Sequence, residues 1–314
     1  MEIPINQNNI NKRLDTFFDG VSRSKISLAI QNGIIKVNNK IQKPSYKLKL
    51  KDIISYNDDE FNDFINPDLE LKPYDFKLDI RYEDDDILII NKPKEILTHP
   101  TKYERLKTIS NALIFHCGKD NLSDLSGMDR LGIVHRLDKN TSGLMIAVKN
   151  NKAHEIISNQ IKNKTLKRRY RAIALGEFEE IEGIINKPLL HYFKDDVKMT
   201  VSDDGLEAVT NYKVIEQFKG ASLVELELKT GRTHQIRAHL SSINHPVFGD
   251  KLYGAKSFMR NEFYNLKTIE QLLQSYYISF IHPKTNKAME FSLNEEEYSA
   301  DFIKVLNLLR RNNE

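Results

Sequence analysis

Residues 132–149 read GIVHRLDKNTSGLMIAVK and hold the side chains best suited to chemistry. Two short apolar runs, 132–134 and 144–148, read as buried strands. Between them come His135-Arg136-Leu137-Asp138 and then a Lys-Asn-Thr-Ser-Gly turn. If the chain stays extended through the tetrad, His135 and Leu137 share one face and Arg136 and Asp138 the other. A guanidinium then stands beside a carboxylate where a buried strand gives way to a turn. A carboxylate in that position is desolvated enough to react, and a nearby cation keeps it ionised. The ordinary reading of a single Asp there is a turn cap bonding the amide of Asn140.

Two further stretches carry reactive side chains. Tyr170 lies in TLKRRYRAIALG, a strand with a strongly basic start formed by Lys167, Arg168, Arg169 and Arg171. A Tyr in a strand is usually core, with its hydroxyl reaching a partner at the rim. A ring flanked by cations also suits stacking on a flipped-out base. The stretch TGRTHQIRAHL brings His234, Arg237 and His239. Paired histidines invite a metal reading, but their spacing fits no standard zinc pattern and no Cys or acidic ligand lies close in sequence. No metal is expected.

The elements that must position these groups follow from pattern and composition. The 314 residues suit one large domain plus a module, and 40% apolar content supports a real core. The formal charge is only +3, so affinity for a polyanion must come from local clusters. The single Cys117, on an apolar segment, has no partner for an intrachain disulfide, and a core role in a reducing cytoplasm is expected. Neither a signal peptide nor a membrane span is expected from the apolar runs. A loose N-terminal arm precedes a short helix through 13–18. A second helix follows, with Ser22 as N-cap, Ile26, Ala29 and Ile30 on one side and Gly33 as its stop. Short strands follow, with Asn38-Asn39 as a turn. Arg23, Lys25, Lys36, Lys40, Lys43, Lys47, Lys49 and Lys51 crowd this region. Residues 58–73 are acidic, are broken by Pro67 and Pro73, and read as a linker. Beyond it, helices are expected over 108–117, 152–162 and 295–309, two strands within 78–93 parted by an acidic turn at 84–86, and antiparallel strands over 206–228.

Residues 132–149 closely resemble the catalytic motif of the RluA-type RNA pseudouridine synthases, in which the Asp of the His-Arg-Leu-Asp tetrad is catalytic. Leu131 stands where many members carry Pro. Tyr170 with Ala172 is similar to the family's Lys-x-Tyr-x-Ala pattern, whose Tyr packs against the target base. The His-Gln-Ile-Arg run resembles the motif whose Arg pairs with the catalytic carboxylate, which implies that role for Arg237. The segment HPVFGDKLYG, 245–254, completes a family motif read as structural. Gln274-Ser275 departs from the family, which often has His-Ala there. Residues 11–56 resemble the S-four-type RNA-binding module through Arg13-Leu14-Asp15, Ser22-Arg23-Ser24, Gly33, Val37-Asn38 and Pro44-Ser45.

The resemblance implies an α+β protein. Residues 11–57 would form a small α/β RNA-binding module and 58–73 a linker. Residues 74–314 would form a catalytic domain around a mixed, largely antiparallel sheet. It implies an isomerase that converts uridine to pseudouridine in RNA, chiefly 23S-type ribosomal RNA of the large subunit. Transfer RNA, a catalytically idle assembly factor and a base-excising glycosylase stand as alternatives. The catalytic set would be Asp138, Tyr170 and Arg237. The RNA-binding set would be His135, Arg136, Arg23, Lys25, Lys36, Lys40 and Lys43. Arg136 would fill the gap left by the flipped nucleotide or hold a phosphate. Asp138 would act as a nucleophile or as a base on the sugar. The reaction is an isomerisation, so no cofactor is expected, and the protein is expected to be a cytoplasmic monomer.

Overall fold

The structure is a computed structural model that describes residues 1–65, 71–101, 104–192, 198–254 and 270–312. At the N-terminus, β1 (Glu2–Pro4), β2 (Lys36–Val37) and β3 (Ile53–Ser55) form a small sheet in the order β1-β3-β2. Helix α1 (Arg23–Gln31) buries Ile26, Ala29 and Ile30, one face at helical spacing, against Leu14, Leu48 and Ile54. Gly33 at φ +72° ends the helix, and Asn38 and Asn39, both at positive φ, turn the chain after β2.

Two expectations are corrected here. The helix expected over 13–18 is only a 3-10 turn at Leu14–Thr16. The amides of Leu14 and Asp15 bond the carbonyls of Tyr46 and Pro44, across the module and not along a helix. The expected linker begins with a helix, α2 (Asp58–Ile65). Phe61, Phe64 and Ile65 fall at i, i+3 and i+4 and are buried in the module's core. Residues 66–70, including Pro67, lie outside the described residues, and Leu71 already packs into the core of the following domain.

The second domain is built on one sheet. Its strands are β4 (Ile80–Glu83), β5 (Ile87–Lys92), β6 (Ser142–Val148), β7 (Lys167–Leu175) and β8 (Glu182–Asn186). A separate hairpin joins β9 (Leu189–His191) and β10 (Met199–Val201). The sheet continues with β11 (Val209–Phe218), β12 (Ala221–Leu228), β13 (Leu273–Ile281) and β14 (Ala288–Ser292). The order is β4-β5-β6-β13-β7-β12-β11-β8, with β14 also on β13. The one parallel pair among the described strands is β6 with β13. Among the described residues four helices complete the domain, α3 (Ile109–Cys117), α4 (Asn151–Lys162), α5 (Gln235–Ser242) and α6 (Ala300–Arg311). The architecture is therefore mixed α+β with a largely antiparallel sheet.

The parallel pair matters because the chain reaches it directly from the reactive tetrad. Gly143 sits at φ +119°, and a Cβ there would lie 2.0 Å from the carbonyl oxygen of Ser275. Only glycine lets β6 and β13 meet. The run at 132–134, expected as a strand, makes a single bridge from Ile133 to Ala147. Gly132 at φ +73° turns the backbone away from an extended path.

Candidate active site

The tetrad enters the sheet just before β6, and its backbone is held on both sides of Asp138. The Thr98 hydroxyl donates to the Leu137 carbonyl at 2.7 Å and accepts from the Leu137 amide at 3.1 Å. One residue beyond Asp138, the ammonium of Lys92 donates to the Lys139 carbonyl at 3.1 Å. The same ammonium donates to the carbonyls of Pro93 at 2.8 Å and Ile96 at 2.9 Å. Lys92 is fully buried at the end of β5, and burial pushes its pKa down to about 7 despite the attraction of Asp138. The segment after β5 thus clamps the backbone that carries Asp138.

The carboxylate of Asp138 does not cap the turn. Its Oδ2 accepts from Arg237 Nη1 at 3.0 Å. Arg237, on α5, donates from Nε and Nη2 to the two carboxylate oxygens of Asp250, at 2.6 and 3.0 Å. Asp250 Oδ1 also accepts the amides of Leu252 and Tyr253, each at 3.0 Å. Burial lowers the Arg237 pKa, but Asp250 and Asp138 outweigh it and hold the guanidinium above its usual value. The result is a buried fork with one edge fixed on Asp250 and the other on Asp138.

Tyr170 completes the pocket wall. It lies on β7, opposite Leu226 of β12 and Ser275 of β13, and is 4% exposed. Burial raises its phenol pKa, so the ring is neutral at physiological pH. Asp138, Tyr170, Arg136, Arg237, His234 and Leu273 line one open pocket. His234 starts α5 in a left-handed conformation, φ 52°, with Nε2 3.8 Å from Asp138 Oδ2 and Nδ1 3.2 Å from the Tyr253 hydroxyl. Burial lowers its pKa, so the imidazole is neutral and Arg237 is the cation beside Asp138.

The expected catalytic set is therefore brought together, while the expected RNA-binding set divides. Arg136 is exposed at the mouth of the pocket. His135 is half-buried and holds to the sheet. Its Nε2 accepts the amide of Ile146 on β6 at 3.0 Å, and its Nδ1 is buried with no partner. Burial, helped by Arg168, pushes its pKa down to about 3, so it is neutral and has no charge for a phosphate. It fastens the tetrad to the sheet. On the module, Lys36, Lys40 and Lys43 are exposed. Arg23 is held by Asp15 at 3.0 Å, and Lys25 donates to the last carbonyl of α2, Ile65, at 2.6 Å.

Lys92, Thr98 and Asp250 are additions that the sequence does not announce. Each acts through a partner distant in sequence. The only local signal for Asp250 is an acidic residue between two turn glycines in HPVFGDKLYG. The Gln274-Ser275 departure is accommodated in the sheet: Gln274 accepts from the Ser142 hydroxyl at 2.6 Å, and Ser275 donates to the Leu144 carbonyl at 2.9 Å.

The histidines 234 and 239 form no ligand set. His239 bonds Thr210 and the Lys187 carbonyl, both at 2.9 Å. Elsewhere Asp84, Asp86 and His282 lie close together. There His282 Nε2 donates to Asp84 at 2.7 Å, its Nδ1 accepts two amides, and Asp84 accepts two amides and the Tyr82 hydroxyl. These atoms are committed to the turns they brace.

Comparison with known proteins shows the family and the fold. A family model described as RNA pseudouridylate synthase matches residues 86–242, and one described as S4 domain matches residues 13–54. The chain is 36% identical over 319 residues to an uncharacterised RNA pseudouridine synthase of Bacillus subtilis, covering 99% of each chain. It is 33% identical to ribosomal large subunit pseudouridine synthase D of Zymomonas mobilis, covering 96% of this chain and 95% of that one. Among solved structures, human RNA pseudouridylate synthase domain containing 4 superposes with a TM-score of 0.57 at 23% identity. That match covers 74% of this chain and 92% of the human one and shows a common fold.

Proposed function

This chain belongs to the RNA pseudouridine synthase family and is an isomerase that makes pseudouridine in RNA; on that premise we propose that it modifies large-subunit ribosomal RNA, with Asp138 as the catalytic carboxylate. The observation that carries the assignment is the contact of Asp138 with the doubly anchored Arg237, on the floor of a pocket walled by Tyr170. The reaction breaks the bond between the uracil nitrogen and the sugar and joins the same sugar carbon to a ring carbon. The carbon loses its proton and the freed nitrogen gains one, so atoms and electrons balance without an oxidant or a cofactor.

Each residue has a part in that scheme. A flipped uridine stacks on Tyr170 and brings its sugar to Asp138. Asp138 acts there as nucleophile or as base on the sugar. Arg237 keeps the carboxylate charged and aimed, so little reorganisation accompanies reaction. The neutral Tyr170 hydroxyl stands at the base and assists the final proton loss. Arg136, at the mouth, fills the gap left in the RNA or holds a phosphate. Lys36, Lys40 and Lys43 on the module contact phosphates, which give affinity and orientation but little sequence information.

The relative named for the large subunit supports ribosomal RNA as substrate, as does the module with its exposed lysines. No helix among the described residues is long and apolar enough to cross a membrane, and a cytoplasmic, monomeric, metal-independent enzyme is the proposed working form. The test is a map of pseudouridine in cellular RNA with and without this protein. Loss of one or more sites in large-subunit RNA is expected. A change confined to transfer RNA would overturn the substrate assignment. Activity should also survive excess chelator with an RNA whose fold needs no divalent ion.

A further inference from the structure

Strand β7 carries three arginines, and two of them are answered by carboxylates. Arg169 lies 3.4 Å from Glu227 and 4.8 Å over the Tyr277 ring. Arg171 lies 3.2 Å from Glu225 and 4.6 Å over the Tyr276 ring. Both sit on one face of the strand. Arg168 sits on the other, the face of Tyr170.

Arg168 is 6% exposed; its Nε, like Arg169 Nε and Arg171 Nη1, is buried with no hydrogen-bond partner, but unlike them it also makes no ion pair among the described residues. Its guanidinium lies against Gly231, where a Cβ would stand 3.2 Å from Nη1. It lines a cleft with Asp138, Tyr170, Arg136, Arg232, Lys164 and Glu207, whose carboxylate is taken by Lys164 at 3.3 Å. A guanidinium stays charged, and burying it without an anion is costly. Paired neighbours on the same strand show that this sheet can supply carboxylates to arginines. Arg168 is instead left open toward the cleft that begins at the catalytic pocket.

We propose that Arg168 is a binding residue for a phosphodiester of the RNA strand beside the flipped uridine, a subsite that rests on the reading of Asp138 and Tyr170 given above. Arg168 and Tyr170 are two residues apart on an extended strand, about 6.6 Å. A base stacked on Tyr170 therefore brings an adjacent phosphate within reach of the guanidinium. The planar fork suits two phosphate oxygens.

The test uses the full chain with Arg168 changed to Gln, Met and Lys. A structural arginine and a ligand-binding one predict opposite behaviour. With Arg168→Met the free protein should unfold at the same or a higher temperature, because an unanswered buried cation is gone. Its KM for a large-subunit ribosomal RNA transcript should rise about tenfold while kcat stays within about threefold. The slope of log affinity against log salt should fall by roughly 0.7–0.9, the value for one neutralised phosphate. Arg168→Gln should do the same, and Arg168→Lys should recover part of the affinity. Affinity for a ten-residue oligouridylate should fall in parallel. That arm reads the subsite even if the wild type leaves the transcript unmodified, a result that would count against the substrate assignment alone. Unchanged KM, oligouridylate affinity and salt slope in a folded variant, or a marked drop in the unfolding temperature of Arg168→Met, would overturn the proposal.

Discussion

Asp250 takes the Nε–Nη2 edge of the Arg237 guanidinium, at 2.6 and 3.0 Å, and so leaves that side chain a single direction in which to meet Asp138. Asp250 makes no contact with the RNA in this scheme, so its effect should appear in turnover and not in affinity. Asp250→Asn keeps the shape but removes the charge that anchors the fork. It should lower kcat about ten- to a hundredfold, ~1.4–2.8 kcal/mol of barrier, with KM for RNA nearly unchanged. Steady-state kinetics on a modified transcript decide it, and a kcat equal to wild type would remove Asp250 from the account.

Lys92 spends its three donors on three backbone carbonyls, and one of them is that of Lys139, next to Asp138. Lys92→Met leaves those carbonyls in the interior without donors, at about 1–3 kcal/mol each, partly offset because an amine no longer has to be buried. A net loss of about 2–4 kcal/mol is expected from denaturant unfolding. The loosened loop should also cost turnover. A variant as stable and as fast as wild type would show that Thr98 and His135 hold the tetrad without Lys92.

His135 makes stability depend on pH in a defined direction. Its folded-state pKa is pushed down to about 3 by burial and by Arg168, whereas an unfolded histidine takes a proton near pH 6.5. Between those limits the unfolded chain binds the extra proton. The stability contributed by this site is therefore complete above about pH 6.5 and is lost as pH falls toward 3. Measured between about pH 4 and 5.5, the slope of unfolding free energy in His135→Gln should be shallower by about 1.4 kcal/mol per pH unit, one proton. The other buried histidines contribute equally in both proteins. An unchanged slope would mean that His135 takes up its proton in the fold.

The N-terminal module has a core of its own that includes α2. Removal of residues 1–67 should therefore take the module away whole. RNA binding should weaken, and its salt slope should fall by about 0.7–0.9 for every phosphate that the module neutralises. Turnover at saturating RNA should stay within about tenfold. A folded but inert remainder would mean that the module helps to build the catalytic pocket.

Local signals make part of this architecture legible in the sequence. Asp138, Tyr170 and Arg237 each stand in a short stretch that resembles a family motif, and α1 shows its helical spacing and its glycine stop. What the sequence hides depends on pairings across the fold. Asp250 is 13 residues from Arg237, and Lys92 is 47 from the carbonyl it bonds beyond Asp138. The segment 58–65 departs from expectation for another reason. Its acidic composition masks Phe61, Phe64 and Ile65, whose spacing marks one face of a helix. His135 stands beside Arg136 in sequence and reads as a second cation, and only the contact with Ile146 shows it turned into the sheet.

The central claim is that one carboxylate, Asp138, carries the reaction. Asp138→Asn keeps the size of the side chain and a partner for Arg237 but removes the charge. The direct measurement is tritium release from RNA labelled at the uracil carbon that forms the new bond, beside a binding assay on the same RNA. The account predicts no release above background with RNA affinity close to that of wild type. Substantial release by the variant would contradict it.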